Sequence, residues 1–223
     1  SWSSLVVPGV PSYKNAAGQS VKIDLNGVAF GGDRLVVVGN DGNVGMTLDM
    51  EAWYWNRALP SGITNDLVSV AYFGGQFSAA TATNMVVTSR DGTNWFPTLV
   101  QTPLKRIRAT AAGFIGISAD ERIGTSADGK NWSFIEAHNQ GTASDIIGAN
   151  GELVLVGKKS LLSSSATLTD WRKIGVPSLV TNENFNAITR GVGVGAPFVL
   201  VGDRGTILHY TAGATKAVSY NND

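Results

Sequence analysis

Cysteine is absent from the 223-residue sequence, which excludes disulfide scaffolds, cysteine zinc sites, iron–sulfur clusters and thiol nucleophiles. Charged residues make up only 15% of the chain, and 17 lysines and arginines balance 17 aspartates and glutamates. A balanced charge gives no reason to expect a nucleic-acid partner. No apolar run reaches the roughly 18 residues of a membrane-spanning helix, so we also expect no membrane insertion.

Histidine is scarce as well, since only His138 and His209 occur and they are too far apart in the sequence to form a local metal motif. The sequence contains no HExxH motif and no P-loop. We therefore predict no metal site and no cofactor.

Glycine, in contrast, is abundant, with 27 residues. Tight turns often require a positive φ angle, which glycine adopts without strain. Strands that are buried on both faces leave little room for lysine or glutamate. The composition therefore predicts an all-β fold made of many short strands.

The sequence repeats five times, and each repeat begins with a short apolar run followed by a turn that contains glycine. The repeats begin at Leu25, Leu67, Arg106, Ser144 and Phe185. Taking Trp55, Trp95, Trp132 and Trp171 as equivalent gives intervals of 37 to 40 residues. This period is typical of four-stranded β-propeller blades, for which about 40 to 50 residues are needed.

Each repeat predicts four strands, which we name a to d, and the fold prediction is a five-bladed β-propeller. The fifth repeat has no tryptophan, whereas Trp2 near the other end of the chain lies six residues before a proline, as Trp171 does. We therefore expect residues 2–7 to form the outer strand of the last blade and close the ring. The predicted single domain covers residues 1–223, with blades at about 25–66, 67–105, 106–143, 144–184 and 185–213 plus 1–8.

The turns before two tryptophans, residues 89–95 and 126–132, read SRDGTNW and SADGKNW. They resemble the Asp-box, or BNR, repeat, in a form in which glycine follows aspartate directly, as in the photosystem assembly-factor propellers. The resemblance implies a c–d hairpin with a structural role, in which the carboxylate accepts backbone N–H bonds. The structural residues of this motif are Ser89, Asp91, Gly92, Trp95, Ser126, Asp128, Gly129 and Trp132.

Sialidases also carry Asp-boxes, but the arginines here do not recur at one position of consecutive repeats. Five-bladed glycosidases, the stronger enzyme alternative, place pairs of carboxylates on their inner strands. Asp145 is the only carboxylate in the predicted inner strands. We therefore predict no catalytic residues and a protein that is not an enzyme, with a five-bladed glycoside hydrolase as the less favoured alternative.

The turns between strands b and c, named b–c turns here, carry polar and charged residues of both signs, and blade topology predicts that they share one rim at the mouth of the channel. They are the candidate binding site for a protein partner or a surface glycan. The candidate residues are Asp41, Asn84, Asp120, Glu121, Lys158, Asp203 and Arg204.

A small glycine-rich propeller with degenerate Asp-boxes resembles domains of bacteriophage tails and capsids. That resemblance implies a receptor-binding or decoration component and a virion or extracellular location. The alternative is a secreted lectin-like module that binds carbohydrate, although the b–c turns do not repeat one set of sugar-binding residues. The sequence leaves open the partner, the phage or bacterial origin and the oligomeric state.

Overall fold

The computed structural model describes residues 7–14, 17–59, 65–136, 141–149, 151–193 and 195–219. Within these residues the regular structure is β-sheet with three 3-10 turns, so the all-β prediction is confirmed. None of the helical turns in these ranges has the length and apolar character needed to cross a bilayer.

A small hairpin precedes five sheets of four strands each. The hairpin contains β1 (Ser12–Lys14) and β2 (Ser20–Lys22). The first sheet contains β3 (Leu25–Gly31), β4 (Arg34–Gly39), β5 (Asn43–Thr47) and β6 (Tyr54–Arg57). The second sheet contains β7 (Leu67–Phe73), β8 (Gln76–Thr81), β9 (Met85–Ser89) and β10 (Phe96–Leu99). The third sheet contains β11 (Leu104–Thr110), β12 (Gly113–Ser118), β13 (Ile123–Ser126) and β14 (Ser133–Ile135).

The fourth sheet contains β15 (Ala143–Ala149), β16 (Glu152–Gly157), β17 (Leu162–Ser165) and β18 (Arg172–Lys173). The fifth sheet contains β19 (Phe185–Arg190), β20 (Phe198–Gly202), β21 (Ile207–Tyr210) and β22 (Val218–Ser219). The 3-10 turns are η1 (Asn40–Gly42), η2 (Ser178–Val180) and η3 (Asp203–Gly205).

Each sheet follows the order of the chain, so the predicted pattern of strands a, b, c and d is confirmed. In the first two sheets, strands a and b are joined by two-residue turns in which both residues adopt a positive φ, Gly32 at 57° and Asp33 at 66° in the first and Gly74 at 57° and Gly75 at 80° in the second. Four of the inner strands, β3, β7, β15 and β19, have a register shift near their second residue, as between Leu25 and Gly27 in β3 and between Phe185 and Ala187 in β19. Such a bulge bends the strand locally.

The chain forms two compact units, of which the first contains Ser1–Ile107 and Ser126–Trp132. Alternate residues of β4 and β8 build its core, where Val36, Val38 and Phe77 are fully buried. The inner strand β3 differs from the others, because Val28 is 60% exposed and Phe30 is 69% exposed.

The second unit contains Arg108–Thr125 and Ser133–Asp223. Its main apolar cluster includes Val154, Val156, Phe185, Phe198 and Leu208, all of them fully buried. The runs ELVLVG and FVLVG that supply most of these residues are strands b of the fourth and fifth sheets.

The outer strand of the fifth sheet corrects a prediction. The place beside β21 is occupied by β22, where Val218 pairs with His209 and Ser219 with Leu208. Residues 211–217 are long enough to bring the same chain back to that edge, and the bridge between Gly175 and Lys216 holds the returning segment. The position predicted for residues 2–7 is therefore occupied by the C-terminal segment, and residues 1–6 lie outside the described residues.

Candidate functional site

Four of the five b–c turns contain a central residue in the left-handed backbone conformation. Asp41 in η1 has a φ of 56° and Arg204 in η3 has a φ of 54°, and each is followed by a glycine with positive φ. Glu121 and Lys159 are also left-handed, at 66° and 53°.

In the first unit, a short segment before β7 joins two of these turns. The Asp66 carboxylate accepts the backbone N–H of Asp41 at 3.0 Å, and the Asp66 carbonyl accepts the N–H of Ala82 at 2.8 Å. The side chain of Asn65 also donates to Thr83 Oγ1 at 3.0 Å. Asp41 and Asn84 are thus held in turns that share the segment 65–66.

The segment 183–184 has the same role in the second unit. Asn184 accepts the backbone N–H of Lys159 through Oδ1 at 3.2 Å and donates to Asp203 Oδ2 through Nδ2 at 2.8 Å. The Glu183 carbonyl accepts the backbone N–H of Ser160 at 2.6 Å. The structure therefore brings the turns that carry Lys158 and Asp203 together.

Four of the seven predicted binding residues hold the fold together through their side chains. Asp120 pairs with Arg122 at 2.7 Å, and the hydrogen bonds from Arg122 and Ser118 lower the pKa of Asp120 to about 2. Glu121 Oε2 accepts the backbone N–H of Ala143 at 2.9 Å.

Asp203 and Arg204 make the other internal contacts of this set. Asp203 accepts the side-chain amides of Asn186 and Asn184, which lower its pKa. Arg204 forms an ion pair with the buried carboxylate of Glu183. These side chains have structural contacts that sequence reasoning did not predict, because their partners lie 17 to 21 residues away in the chain.

The side chains of Asp41, Asn84 and Lys158 differ from these four. None of the three has a side-chain hydrogen bond or an ion pair with another residue of the described ranges. Asn84 and Lys158 are exposed, and Asp41 is half-buried. Within the described structure, these three are the predicted residues whose polar groups remain available to a partner.

At the opposite ends of the strands, the two Asp-boxes form the same set of hydrogen bonds. Asp91 Oδ1 accepts the N–H groups of Thr93 and Asn94 at 2.9 and 2.8 Å, and Ser89 Oγ accepts the N–H of Gly92 at 2.9 Å. The indole N–H of Trp95 donates to the Gly92 carbonyl at 3.1 Å.

The third sheet repeats these contacts with Ser126, Asp128, Gly129 and Trp132. The carboxylates, hydroxyls and indoles therefore bind atoms of their own turns.

The structure corrects one predicted equivalence: Trp53, and not Trp55, corresponds to Trp95, Trp132 and Trp171. The indole N–H of Trp53, not that of Trp55, donates to the Met50 carbonyl, and Asp49 Oδ1 accepts the N–H groups of Glu51 and Ala52. The first turn therefore has the same length and the same pattern of hydrogen bonds as the turns that contain Asp91 and Asp128. The alternation of Trp53, Tyr54 and Trp55 made the choice of tryptophan ambiguous in the sequence.

The fourth turn is also of unchanged length, and threonine replaces its aspartate. Thr167 Oγ1 accepts the N–H groups of Thr169 and Asp170 at 3.3 and 3.2 Å, and Trp171 donates to the Leu168 carbonyl at 3.0 Å. A hydroxyl can thus replace the carboxylate oxygen as the acceptor.

The inner-strand carboxylate Asp145 is fully buried and bonded on both oxygens. Arg108 donates to Oδ1 through Nε at 3.0 Å and to Oδ2 through Nη2 at 2.5 Å, a bidentate pair that raises the pKa of Arg108. The backbone N–H groups of Ile146 and Ile188 also donate to this carboxylate, at 3.0 and 3.1 Å. Asp145 therefore links three inner strands.

A polar cluster in the second unit was not predicted from the sequence. The Tyr210 hydroxyl donates to Glu152 Oε1 at 2.8 Å, and Arg172 Nη2 lies 3.4 Å from the same oxygen. Burial and the neighbouring Glu152 raise the pKa of Tyr210, although its contact with Ser164 lowers it. Tyr210 is fully buried, so its hydroxyl is closed to solvent. Only tertiary structure brings these residues together.

No protein-family model matches the sequence, and no curated protein does so either. Solved structures do match. The structure of YCF48 bound to D1 peptide has a TM-score of 0.69 at 15% identity, over 89% of this chain and 66% of that chain. The WD40 β-propeller domain of Doa1 has a TM-score of 0.67 at 14% identity, over 96% and 72% of the two chains.

Virginiamycin B lyase from Staphylococcus aureus has a TM-score of 0.70 at 14% identity, over 88% of this chain and 69% of that chain. The fold is that of a β-propeller. This chain spans about two thirds of the length of these structures. At such low identities the similarity shows the fold alone, because propellers with different functions share it.

Proposed function

We propose that this β-propeller is a non-enzymatic binding module and that a protein partner contacts its b–c turns. The observation that supports the proposal most is that the predicted binding residues fall into two groups. Asp120, Glu121, Asp203 and Arg204 fix the turns, whereas the polar groups of Asp41, Asn84 and Lys158 have no partner in the described structure. Rigid turns that present unpartnered polar groups favour recognition, because little conformational entropy is lost on binding.

The contacts of Asp145 support the part of the proposal that the protein is not an enzyme. A glycosidase needs a second carboxylate about 5 to 9.5 Å away and room for substrate between the two. Asp145 instead has both oxygens bonded to Arg108 and to backbone N–H groups of Ile146 and Ile188. A carboxylate in these contacts is suited to holding strands together.

A protein partner is favoured over a glycan at the b–c turns. The YCF48 structure that resembles this chain holds a peptide, the D1 peptide. A lectin with one sugar per blade requires equivalent residues in every blade, and the unpartnered residues here are an aspartate, an asparagine and a lysine. These unlike side chains do not form such a repeated sugar site.

The closed ring, the Asp-box family and the virion or extracellular location also belong to this proposal. Closure of the ring is supported by Val28 and Phe30, since an exposed inner strand is unusual when its counterparts Val70, Ile146 and Ile188 are buried. The Asp-box resemblance is supported by the shared hydrogen bonds of four turns. The bacteriophage context is supported by composition alone.

The test is a variant that changes only the unpartnered side chains, D41N with N84A and K158A. Asparagine tolerates the left-handed conformation of position 41. For a partner identified first by cross-linking to the intact chain, we expect at least a tenfold loss of affinity in calorimetry, with an unchanged melting temperature. The matched control is D170A with K173A, two exposed residues outside the b–c turns. Normal binding by the first variant, or equal loss in the control, would contradict the proposal.

A further inference from the structure

A cavity of about 310 Å³ lies at the Asp-box end of the second sheet, away from its b–c turn. All of its lining residues belong to the first unit. The lining includes Gln76, Thr88, Arg90, Asp91, Phe96 and Lys130. Its volume is at the lower end of the roughly 300 to 1,000 Å³ of ligand pockets, which suits a single small ring.

The register of the second sheet defines the floor of this cavity. Thr88 on β9 lies directly opposite Ser78 on β8 and Phe96 on β10, so the three side chains share one face of the sheet. Ser78 Oγ donates to the Gly129 carbonyl at 2.9 Å, and Gln76 on the same face donates to the Asp128 carbonyl. This face therefore meets the Asp-box turn that carries Lys130.

The floor contains a hydroxyl without a hydrogen-bond partner. Thr88 is only 1% exposed, and its Oγ1 has no partner in the described ranges. Buried hydroxyls are normally bonded, and an unbonded one needs an explanation. A ligand that reaches the floor of the cavity would provide the missing partner.

The fourth sheet shows what occupies the corresponding position there. Ser164 is the counterpart of Thr88, and Arg172 opposite Ser164 is the counterpart of Phe96. The Arg172 guanidinium donates to Ser164 Oγ at 3.3 Å and to the Ala214 carbonyl at 2.8 Å, and Glu152 balances its charge. In the fourth sheet, the chain itself thus satisfies the hydroxyl that remains unpartnered in the second.

The charge of the cavity lining indicates an anionic ligand. Arg90 and Lys130 bring two positive charges, and neither side chain has an ion pair with a residue in the described part of the chain. The single negative charge of the lining, Asp91, accepts N–H bonds from Thr93 and Asn94 and from the Asn94 side chain. One positive charge is therefore left over for a ligand.

We propose that this cavity binds one carboxylate-bearing sugar ring. Arg90 and Lys130 contact the carboxylate, and Thr88 and Gln76 contact ring hydroxyls. The Phe96 ring, which is 62% exposed, supplies an apolar face against which a pyranose packs. The site is distinct from the b–c turns, so its ligand and the protein partner can bind at the same time.

Calorimetric titration of the full chain tests this assignment with D-glucuronate and D-galacturonate as probes, and with D-glucose as the neutral counterpart. We expect saturable binding of at least one uronate, at least tenfold tighter than that of glucose. The double variant R90Q with K130Q should weaken the uronate at least tenfold, because both cations are lost. The control K173Q removes an exposed cation outside the cavity and should bind normally.

The variant T88V distinguishes a binding role from a structural one. Valine keeps the shape of threonine and removes the unpartnered hydroxyl, so we expect weaker uronate binding with an equal or higher melting temperature. A lower melting temperature would show that the hydroxyl stabilises the fold and would overturn its assignment to a ligand.

Three results would overturn the proposal as a whole. They are no saturable binding of either uronate, equal binding of glucose, or equal loss in K173Q. Binding of N-acetylglutamate amide as tight as that of the uronates would overturn the sugar assignment in favour of a peptide carboxylate.

Discussion

Single carboxylates stabilise the c–d turns of this protein. A turn exposes backbone N–H groups that no strand can satisfy, and one oxygen of Asp49, Asp91 or Asp128 accepts two of them. If the carboxylate is removed, water can replace it as the acceptor of these N–H groups only where the turn is exposed. The energetic value of each aspartate therefore depends on how far its turn is buried.

Replacement of Asp91 by alanine should lower the free energy of unfolding by about 1 to 3 kcal/mol, because N–H groups in a partly buried turn lose their acceptor. The matched control is D170A in the fourth turn, whose carboxylate has no hydrogen bond in the described part of the structure and whose loss should cost less than about 0.5 kcal/mol. Urea denaturation measures both. Equal effects of the two substitutions would contradict a specific role for Asp91.

The same carboxylates should make stability depend on pH. Partial burial raises the pKa of Asp128, but the N–H bonds from Asn131 and Lys130 outweigh it and lower the pKa from 3.8 to about 2. A folded-state pKa below the unfolded one stabilises the fold fully above the unfolded pKa, and this contribution is lost as the pH falls from about 4 through 2.

The D128N variant keeps an oxygen acceptor and removes the titrating group. We expect the difference in free energy of unfolding between the parent and D128N to be largest at pH 5 to 7 and to shrink between pH 4 and pH 2. Urea titrations at these pH values measure it. A difference that does not change with pH would show that Asp128 does not contribute through its charge.

Polar side chains on the inner strands link successive sheets. In the first unit Ser69 Oγ contacts both backbone polar groups of Ile107, accepting its N–H at 3.1 Å and donating to its carbonyl at 3.3 Å. In the second unit Asp145 accepts the N–H of Ile188 in the same way. Each contact follows the bulge of an inner strand, which exposes the third residue of that strand to the next sheet.

Substitution of Ser69 by alanine should therefore cost about 1 to 3 kcal/mol, since the Ile107 N–H would be buried without a partner. The serine-to-alanine control is S133A on the outer strand β14, where the side chain is exposed. Thermal unfolding followed by circular dichroism compares them. Equal melting temperatures would argue that water replaces the lost hydroxyl.

The outer strand of the fifth sheet allows a test by truncation. Deletion of residues 218–223 should lower the melting temperature and promote aggregation, because the edge of β21 becomes unpaired. Deletion of residues 220–223 alone is the control and should leave the melting temperature within a few degrees of the parent. If both truncations behave alike, β22 does not protect this edge.

At the scale of the whole molecule, strand β3 differs from the other inner strands because its side chains Val28 and Phe30 are exposed. In a closed ring, the exposed Val28 would be buried like Val70, Ile146 and Ile188. The variant V28D should then cost at least about 2 kcal/mol, since a charge would be buried without a partner. The control L179D changes a side chain that is 89% exposed and should cost less than about 0.5 kcal/mol. Equal effects in calorimetric unfolding would show that β3 remains exposed.

The sequence by itself determined the local parts of this protein. Short apolar runs separated by glycine turns allow only hairpins, and their period allows only four strands in each repeat, so the sheets could be predicted. The hydrogen bonds of Asp91 and Asp128 in the c–d turns could also be predicted from the sequence, because all their partners lie within three residues. The choice between Trp53 and Trp55 could not be predicted, since the two tryptophans are only two residues apart and their rings stack on each other in the structure.

Tertiary structure decided which polar residues are free and which are bonded. Glu121, Asp203 and Arg204 resembled solvated turn residues in the sequence. Their partners are Ala143, the first residue of β15, and Asn184 and Glu183, which directly precede β19. The cavity above Thr88 likewise depends on the sheet register that brings residues 76, 88 and 96 to one face and on the contacts of that face with the turn that carries Lys130. Local sequence specifies turns because their hydrogen bonds span a few residues, whereas the binding surface depends on contacts across tens of residues.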